Sequence, residues 1–427
     1  MTVIIWFILP VICLIAAAIY LYQKVKAAVL CFATRWSQKN QRIITIVVTL
    51  LLIVPAIRIF GIWFIVLLHL IAFLLITDGI VIIIKKSRKN KNWSRACLKN
   101  HSRNLHAPLC GIFCPNSVVV ARYDALIRAK SPTNCDAHLA ESLFQTCSRA
   151  CKKIYCGGVI AVVLTATVIG YGRYNIFHVV RTEYTLQTQK DIQTEGYRLV
   201  LLSDLHYGVS MSDEQLQKVA DRISRENPDV VVLDGDIVDE NTTSEQMKSA
   251  FHILGMIDSK YGIYYTYGNH DKNNYSTMPN YTADQLAETI KRNDIQILED
   301  DTAVIKDEVV LIGRADRGYG NENRQTIFDL TSKLDKKQEW VVLDHQPADY
   351  ENVKKAGCDI ILSGHTHAGQ IWPVGLVASL FHFDELNYGK IQRENLNAVV
   401  TSGIAGWGYP IRTEKHSEYV VLNIVPE

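Results

Sequence analysis

Apolar and polar positions follow two different patterns in this chain, and the change comes near residue 197. Before it, apolar residues run on without interruption. Residues 3–22 read VIIWFILPVICLIAAAIYLY, about the ~20 apolar residues that cross ~30 Å of hydrocarbon. No Lys or Arg precedes this run and no clear small-residue cleavage site follows it, so it reads as a retained span rather than a secretory signal. Residues 43–57 and 62–84 predict two further spans, joined as a hairpin near Arg58 and Gly61. Residues 154–172, richer in Gly and Ala, predict a fourth.

After residue 197, short apolar runs alternate with amphipathic stretches. The runs at 198–202, 230–233, 263–267, 309–312, 341–343 and 360–362 predict buried strands, and 419–425 a closing strand. The stretches 213–226, 244–257, 282–293, 323–335 and 349–356 predict helices. This alternation predicts a layered α/β domain. The organisation expected is a transmembrane region over 1–172, a polar tether over 173–196 and an α/β domain over 197–427.

Composition changes the picture in two places. The formal net charge is only +2, without the basic field of a general nucleic-acid binder, so no nucleic-acid surface is expected. Of 10 cysteines, only Cys358 lies beyond residue 156, which excludes a disulfide within the α/β domain. The rest sit in or between the apolar segments. In the basic segment 85–153, Cys110 and Cys114, and Cys147 and Cys151, are spaced to share a helix face, with His101 and His106 nearby. A zinc site is conceivable there, but reduced thiols packing as small hydrophobes are the simpler reading.

Positive charge sets an orientation. Lys24, Lys26, Arg35, Lys39 and Arg42 follow the first span, Lys85, Lys86, Arg88, Lys89 and Lys91 follow the third, and Arg149, Lys152 and Lys153 precede the fourth. With four crossings, these clusters share one side, expected to be the cytoplasm. The α/β domain is then expected outside it, on an integral multi-pass membrane protein. Arg58, Arg173 and Arg181 run against this assignment.

Candidate chemistry sits at strand ends. Asp204 and His206 follow the first strand, Asp236 follows VVVLDG, Asn269 and His270 follow IYYTYG, His345 follows VVLD, and His365 and His367 follow IILSG. Ligand sites of open α/β sheets form at the carboxyl ends of strands, so one crevice can collect these side chains. Carboxylate, amide and imidazole donors suit Mn, Fe or Zn. A set this large can hold two divalent ions about 3.5–4 Å apart, as in two-metal hydrolases.

The set resembles the calcineurin-like metallophosphoesterase superfamily over residues 197–427. The runs SDLH at 203–206, GHTHAGQIWP at 364–373 and WGYPIR at 407–412 are similar to its membrane-associated, bacterial YkuE/YaeI-like branch. The resemblance implies an αββα fold, a two-sheet sandwich flanked by helices. It implies one metal on Asp204, His206 and His367, a second on Asn269, His345 and His365, and Asp236 bridging them. His270 is implied as the group facing the leaving oxygen, and Asp239 as the residue orienting it. Arg412 is a candidate substrate contact, as are Asp316 and Arg317. One departure is informative: Glu240 stands where the protein-phosphatase branch has Arg.

The expected activity is metal-dependent hydrolysis of a phosphodiester or diphosphate at or near the membrane, with envelope, lipid-linked or nucleotide-type substrates and with membrane lipid as a partner. A non-catalytic membrane sensor or scaffold is the alternative. A transporter is disfavoured, because the four spans show no inverted repeats and carry few ionisable groups, His69 and Asp78 being the exceptions.

Overall fold

A computed structural model describes residues 9–58, 61–90, 156–318 and 323–427. Residues 3–8 of the first expected span, and the cysteine and histidine pairs of the 85–153 segment, lie outside the described residues. The chain divides into two compact units, Met1–Ala166 and Thr167–Glu427.

The first unit holds helices α1 (Leu9–Phe32), α2 (Gln38–Ile53, continued by a 3-10 turn, Val54–Ile57) and α3 (Ile62–Asn90), and the first half of α4 (Cys156–Asn175), up to Ala166. Within them, Leu14–Phe32, Gln38–Ile57, Ile62–Ile84 and Gly157–Asn175 are long and apolar enough to cross a membrane. Leu21, Ala56, Leu67, Leu74 and Ala161 pack into a small core, while Leu50, Ile82 and Val162 face outward. Apolar residues both inside and outside a helix group suit a hydrocarbon surround. Asp78 accepts a 2.8 Å hydrogen bond from Tyr20 Oη and pairs with Lys24. His69 Nδ1 lies 2.9 Å from the Ile65 carbonyl. Both ionisable groups of the third apolar stretch are therefore partnered locally.

The second unit is a sandwich of two six-stranded sheets. The first has the order β1 (Val180–Thr188), β12 (Glu418–Pro426), β2 (Tyr197–Leu202), β3 (Val230–Asp234), β4 (Ile263–Thr266), β5 (Ile295–Ile297). The second has the order β10 (Gly389–Arg393), β11 (Leu396–Val400), β9 (Ile360–Ser363), β8 (Glu339–Leu343), β7 (Val309–Gly313), β6 (Asp301–Ile305). Strands β2 to β5 are mutually parallel, as are β7, β8, β9 and β11.

Alternation along each strand builds the layers. Leu199, Leu201, Val230 and Val232 meet Leu311, Val341, Leu343 and Leu362 between the sheets. Their neighbours Val200, Leu202, Val231 and Leu233 face helices α5 (Asp213–Ser224), α6 (Ser244–Gly255) and α7 (Ala283–Arg292). On the opposite side, Val310, Ile312, Trp340 and Val342 face α8 (Ile327–Thr331) and α9 (Tyr350–Ala356). Strands covered on both faces read as continuous apolar runs, which is the texture of the sequence. Capping boxes at Ser212, Thr243 and Thr282 begin α5, α6 and α7, each contributing about 1 kcal/mol.

Three expectations need correction. The stretch expected to be a tether contains β1, which pairs in parallel with β12 from Val180↔Glu418 to Thr188↔Pro426. The helix expected over 323–335 is confined to Ile327–Thr331. Strands β5, β6, β10 and β11, and helix α10 (Val374–Phe381), are additions to the expected elements.

Candidate metal centre

The strand ends do converge. Asp204, His206 and His367 place one ligand atom each within 4.8 Å of one another, and Asp236, His345 and His365 do the same. Asp236 Oδ2 reaches into both groups, lying 3.0 Å from His345 Nε2 and 3.7 Å from His206 Nε2. His206 Nε2 faces His367 Nε2 at 3.2 Å, and that nitrogen is 3.4 Å from Asp204 Oδ1.

The backbone is bent to allow this. Asp204, His206, Asp236, His365 and His367 all have positive φ, between 41° and 68°. For non-glycine residues this is a strained region that gathers at functional sites. Hydrogen bonds between loops hold the bends. The His365 N–H donates to the Asp204 carboxylate at 3.0 and 3.1 Å, and the His270 N–H donates to Asp236 Oδ1 at 2.9 Å. Asp271 is fully buried and accepts from the N–H groups of Asp236, Ile237, Val238 and Gly268 at 2.6 to 3.2 Å. It is thus the clamp joining the loops after β3 and β4. Two glycines permit the close approach. Gly235 has φ of 77°, and a Cβ on Gly364 would come within 1.9 Å of Ser203 Oγ and 2.4 Å of Asp204 Oδ2.

The donor set fits cations. Buried Asn269 Oδ1 and His367 Nδ1 have no hydrogen-bond partner among the described residues, and leaving such atoms bare costs about 1–3 kcal/mol each. His345 Nδ1 lies 2.7 Å from the Asp234 carbonyl. That contact places a proton on Nδ1 and turns Nε2 toward Asp236, whose carboxylate raises the ring's pKa against the cost of burial; a cation between the two would take the place of the Nε2 proton. Burial and neighbouring imidazoles push the His365 pKa down to about 4. Burial, reinforced by His206 and Arg412, lowers that of His367. Both rings are therefore neutral lone-pair donors.

The residues beside this centre depart from expectation. His270 Nδ1 is held by Glu240, at 2.9 and 3.0 Å from the two carboxylate oxygens. Asp239 does not orient His270; its Oδ2 lies 3.3 Å from His206 Nδ1. Burial opposes charge on His270, but the Glu240 hydrogen bond and the Asp236 carboxylate outweigh it and push its pKa up to about 9. Tyr275 and Trp407 flank the ring, with centroids at 5.2 and 5.5 Å. Tyr275 comes from the same loop as His270, after β4, and Trp407 from the loop between β11 and β12; the strand-end motifs gave no signal for Tyr275.

Arg412 is also corrected. It is completely buried and donates to the carbonyls of His367 and Ser402, each at 2.8 Å, and of Ala405. A guanidinium spent on three carbonyls holds the His367 loop in place and is not open to a substrate. Asp316 is likewise engaged, accepting from Gln346 Nε2 at 2.9 Å, whereas Arg317 is exposed.

Residues 197–369 match the family described as calcineurin-like phosphoesterase. This is a calcineurin-like metallophosphoesterase domain. Residues 98–156 match a second family, described as a family of unknown function (DUF6783). The chain is 30% identical over 288 residues to a transmembrane protein with metallophosphoesterase domain from Danio rerio, covering 62% of each. It is 29% identical over 221 residues to the metallophosphoesterase YkuE of Bacillus subtilis, covering 50% of this chain and 74% of that one. It is 24% identical over 262 residues to the UDP-2,3-diacylglucosamine pyrophosphatase LpxG of Chlamydia trachomatis, covering 50% and 77%. The chain spans about three fifths of the length of curated relatives such as the Danio rerio protein. The metallophosphoesterase domain accounts for both donor trios, since His206, His345, His365 and His367 all lie within the matched residues.

Proposed function

We propose that this protein is a membrane-anchored, two-metal phosphoric ester hydrolase acting on phosphodiesters or diphosphates. One observation carries the reading: Asp236 Oδ2 lies within reach of both histidine groups, 3.0 Å from His345 and 3.7 Å from His206. Asp204, His206 and His367 would hold one divalent ion, Asn269, His345 and His365 the second, and Asp236 would bridge them; Mn, Fe and Zn suit these donors. When bound, such ions lower the pKa of a water and neutralise phosphate oxygens.

The chain's own residues supply the rest. His270, anchored through Nδ1 by Glu240, keeps Nε2–H free to donate to a leaving oxygen. Cations on Asp236 would offset that carboxylate's pull on His270 and leave Glu240 as the main support for its proton. Asp239 would fix the ring of His206 through Nδ1, a role outside the reacting atoms.

Glu240 adds negative charge beside the site, where an Arg would grip a phosphomonoester dianion. This favours substrates whose phosphorus carries less charge, as diesters do. The similarity to a protein named as a UDP-2,3-diacylglucosamine pyrophosphatase supports diphosphates joined to lipid as the class to try first. The four apolar helices support anchoring, and the Lys and Arg clusters support a domain outside the cytoplasm.

The test is full-length protein in nanodiscs with Mn, assayed on bis-p-nitrophenyl phosphate, p-nitrophenyl phosphate and a lipid-linked diphosphate. Turnover of the diester or the diphosphate, lost in Asp236→Asn, is expected. Metal-loaded protein inert on all three would overturn the proposal.

A further inference from the structure

We infer that helix α10 and the residues just after it rest in the interfacial layer of a lipid bilayer, so that the metal centre opens toward that surface. The inference rests on the membrane anchoring proposed above.

Residues 371–383 read IWPVGLVASLFHF and contain no Asp, Glu, Lys or Arg. Only one face of α10 is covered, with Gly375 and Ala378 buried. The other face carries Val374, Leu376, Leu380 and Phe381 at 50, 50, 66 and 69% exposure, and Phe383 follows at 69%. A contiguous apolar surface of this kind marks a protein or membrane contact, and a charge-free stretch rich in Phe and Leu suits the boundary of headgroups and acyl chains.

Two features of the same compact unit select lipid as the occupant. The first is topology. The last turns of the apolar helix α4, residues 167–175, belong to this unit and lead into β1 at Val180. There, Val180 pairs with Glu418, and Val420 pairs with Leu201, one residue from the carboxyl end of β2. Asp204 follows that end. The apolar helix therefore emerges at the same end of the sheets as the metal donors.

The second is a shared loop. The Arg412 N–H donates to the Gly172 carbonyl of α4 at 3.0 Å, and Arg173 Nη1 donates to the Pro410 carbonyl at 3.3 Å. Two residues further on, Glu414 accepts from the Gly375 N–H of α10 at 2.8 Å, and Thr413 Oγ1 accepts from the Trp372 N–H at 3.0 Å. One short loop thus braces α4 and α10 together. On α4, Tyr171 and Tyr174 are 55 and 61% exposed, the amphipathic aromatics enriched where helices meet the membrane–water boundary.

The exposed face also begins close to the chemistry. The 3-10 turn His367–Gly369 precedes α10 by four residues, and a Cβ on Gly369 would come within 2.1 Å of the Gly375 nitrogen. A bilayer touching α10 would present its headgroups beside His367.

Photo-crosslinking of the full chain in phosphatidylcholine nanodiscs tests this without any catalytic readout. p-Benzoylphenylalanine is placed singly at Leu380, at Val162 within the fourth apolar helix, and at Lys260, which precedes β4 at the opposite end of the sheet. Lipid adducts at 380 and 162, absent at 260, are expected. Adducts at 162 but not at 380, or a cross-link from 380 to a second copy of the chain, overturn the inference while leaving the anchoring intact. No lipid adduct at any of the three positions overturns the anchoring itself.

Discussion

The carboxylate of Glu240 sits 2.9 Å from Nδ1 of His270, so the proton on that nitrogen is shared with an acid and the opposite nitrogen is left to work. Replacing Glu240 by Gln removes the charge that supports the imidazolium. His270→Asn is expected to lower kcat by roughly 10²–10⁴-fold, the usual contribution of a positioned acid. Glu240→Gln is expected to lower it by about 10-fold, the lower range for an orienting partner. Both variants should retain the wild-type metal content, read by mass spectrometry. A Glu240→Gln enzyme with unchanged kcat would remove this residue from the proposed mechanism.

Asp239 predicts the opposite pattern. Its contact is with His206 Nδ1 at 3.3 Å, on the side of the ring away from His367. Asp239→Asn is expected to weaken metal affinity by about 10–100-fold, with kcat recovering once the metal is saturating. A kcat that stays low at any metal concentration would return Asp239 to the orientation of His270.

Asp236 should control stoichiometry. Two ions per chain are expected in the intact protein, and fewer in Asp236→Ala, because both donor groups meet at this carboxylate. Chelation should abolish turnover and Mn should restore it. Two tightly held ions in Asp236→Ala would rule out a bridging role.

Arg412 predicts lost stability rather than a raised KM. Its guanidinium satisfies three buried carbonyls, and exposing such groups costs about 1–3 kcal/mol apiece. Arg412→Ala is therefore expected to destabilise the domain by at least about 3 kcal/mol, seen in thermal unfolding. A stable Arg412→Ala protein with a raised KM would restore the substrate role first expected for it.

Glu339 gives a pH dependence away from the metals. Burial and then Asp359 push its carboxyl from 4.5 up to about 7, against a Thr188 hydrogen bond that lowers it. The folded state thus holds this proton more tightly than the unfolded chain. Stability should fall as pH rises from about 4.5 to about 7, by up to roughly 3 kcal/mol, and then level off. Glu339→Gln should flatten that window. An unchanged pH–stability profile in the variant would show that the carboxyl titrates normally.

The sequence by itself determined what depends on neighbours along the chain. Apolar runs fixed the strands, because a strand covered on both faces must be apolar throughout. The Asp, Asn and His donors directly after those runs were legible for the same reason, since each is positioned by its own strand. The four helices among the described residues that are long and apolar enough to span a membrane follow from composition alone. The tertiary structure decided what depends on residues far apart. Strand β1 alternates exposed positions with half-buried or buried ones and reads as a tether until β12, more than two hundred residues later, supplies its ladder. Asp239 and Glu240 are adjacent, and no spacing rule tells which faces His206 and which His270; the loops after β2, β3 and β4 decide it together. Arg412 looks like a phosphate contact in isolation, and only the packing of the His367 and Ala405 loops turns its donors inward. The strands carried their chemistry locally, but the partners that orient it meet only when the sheets close.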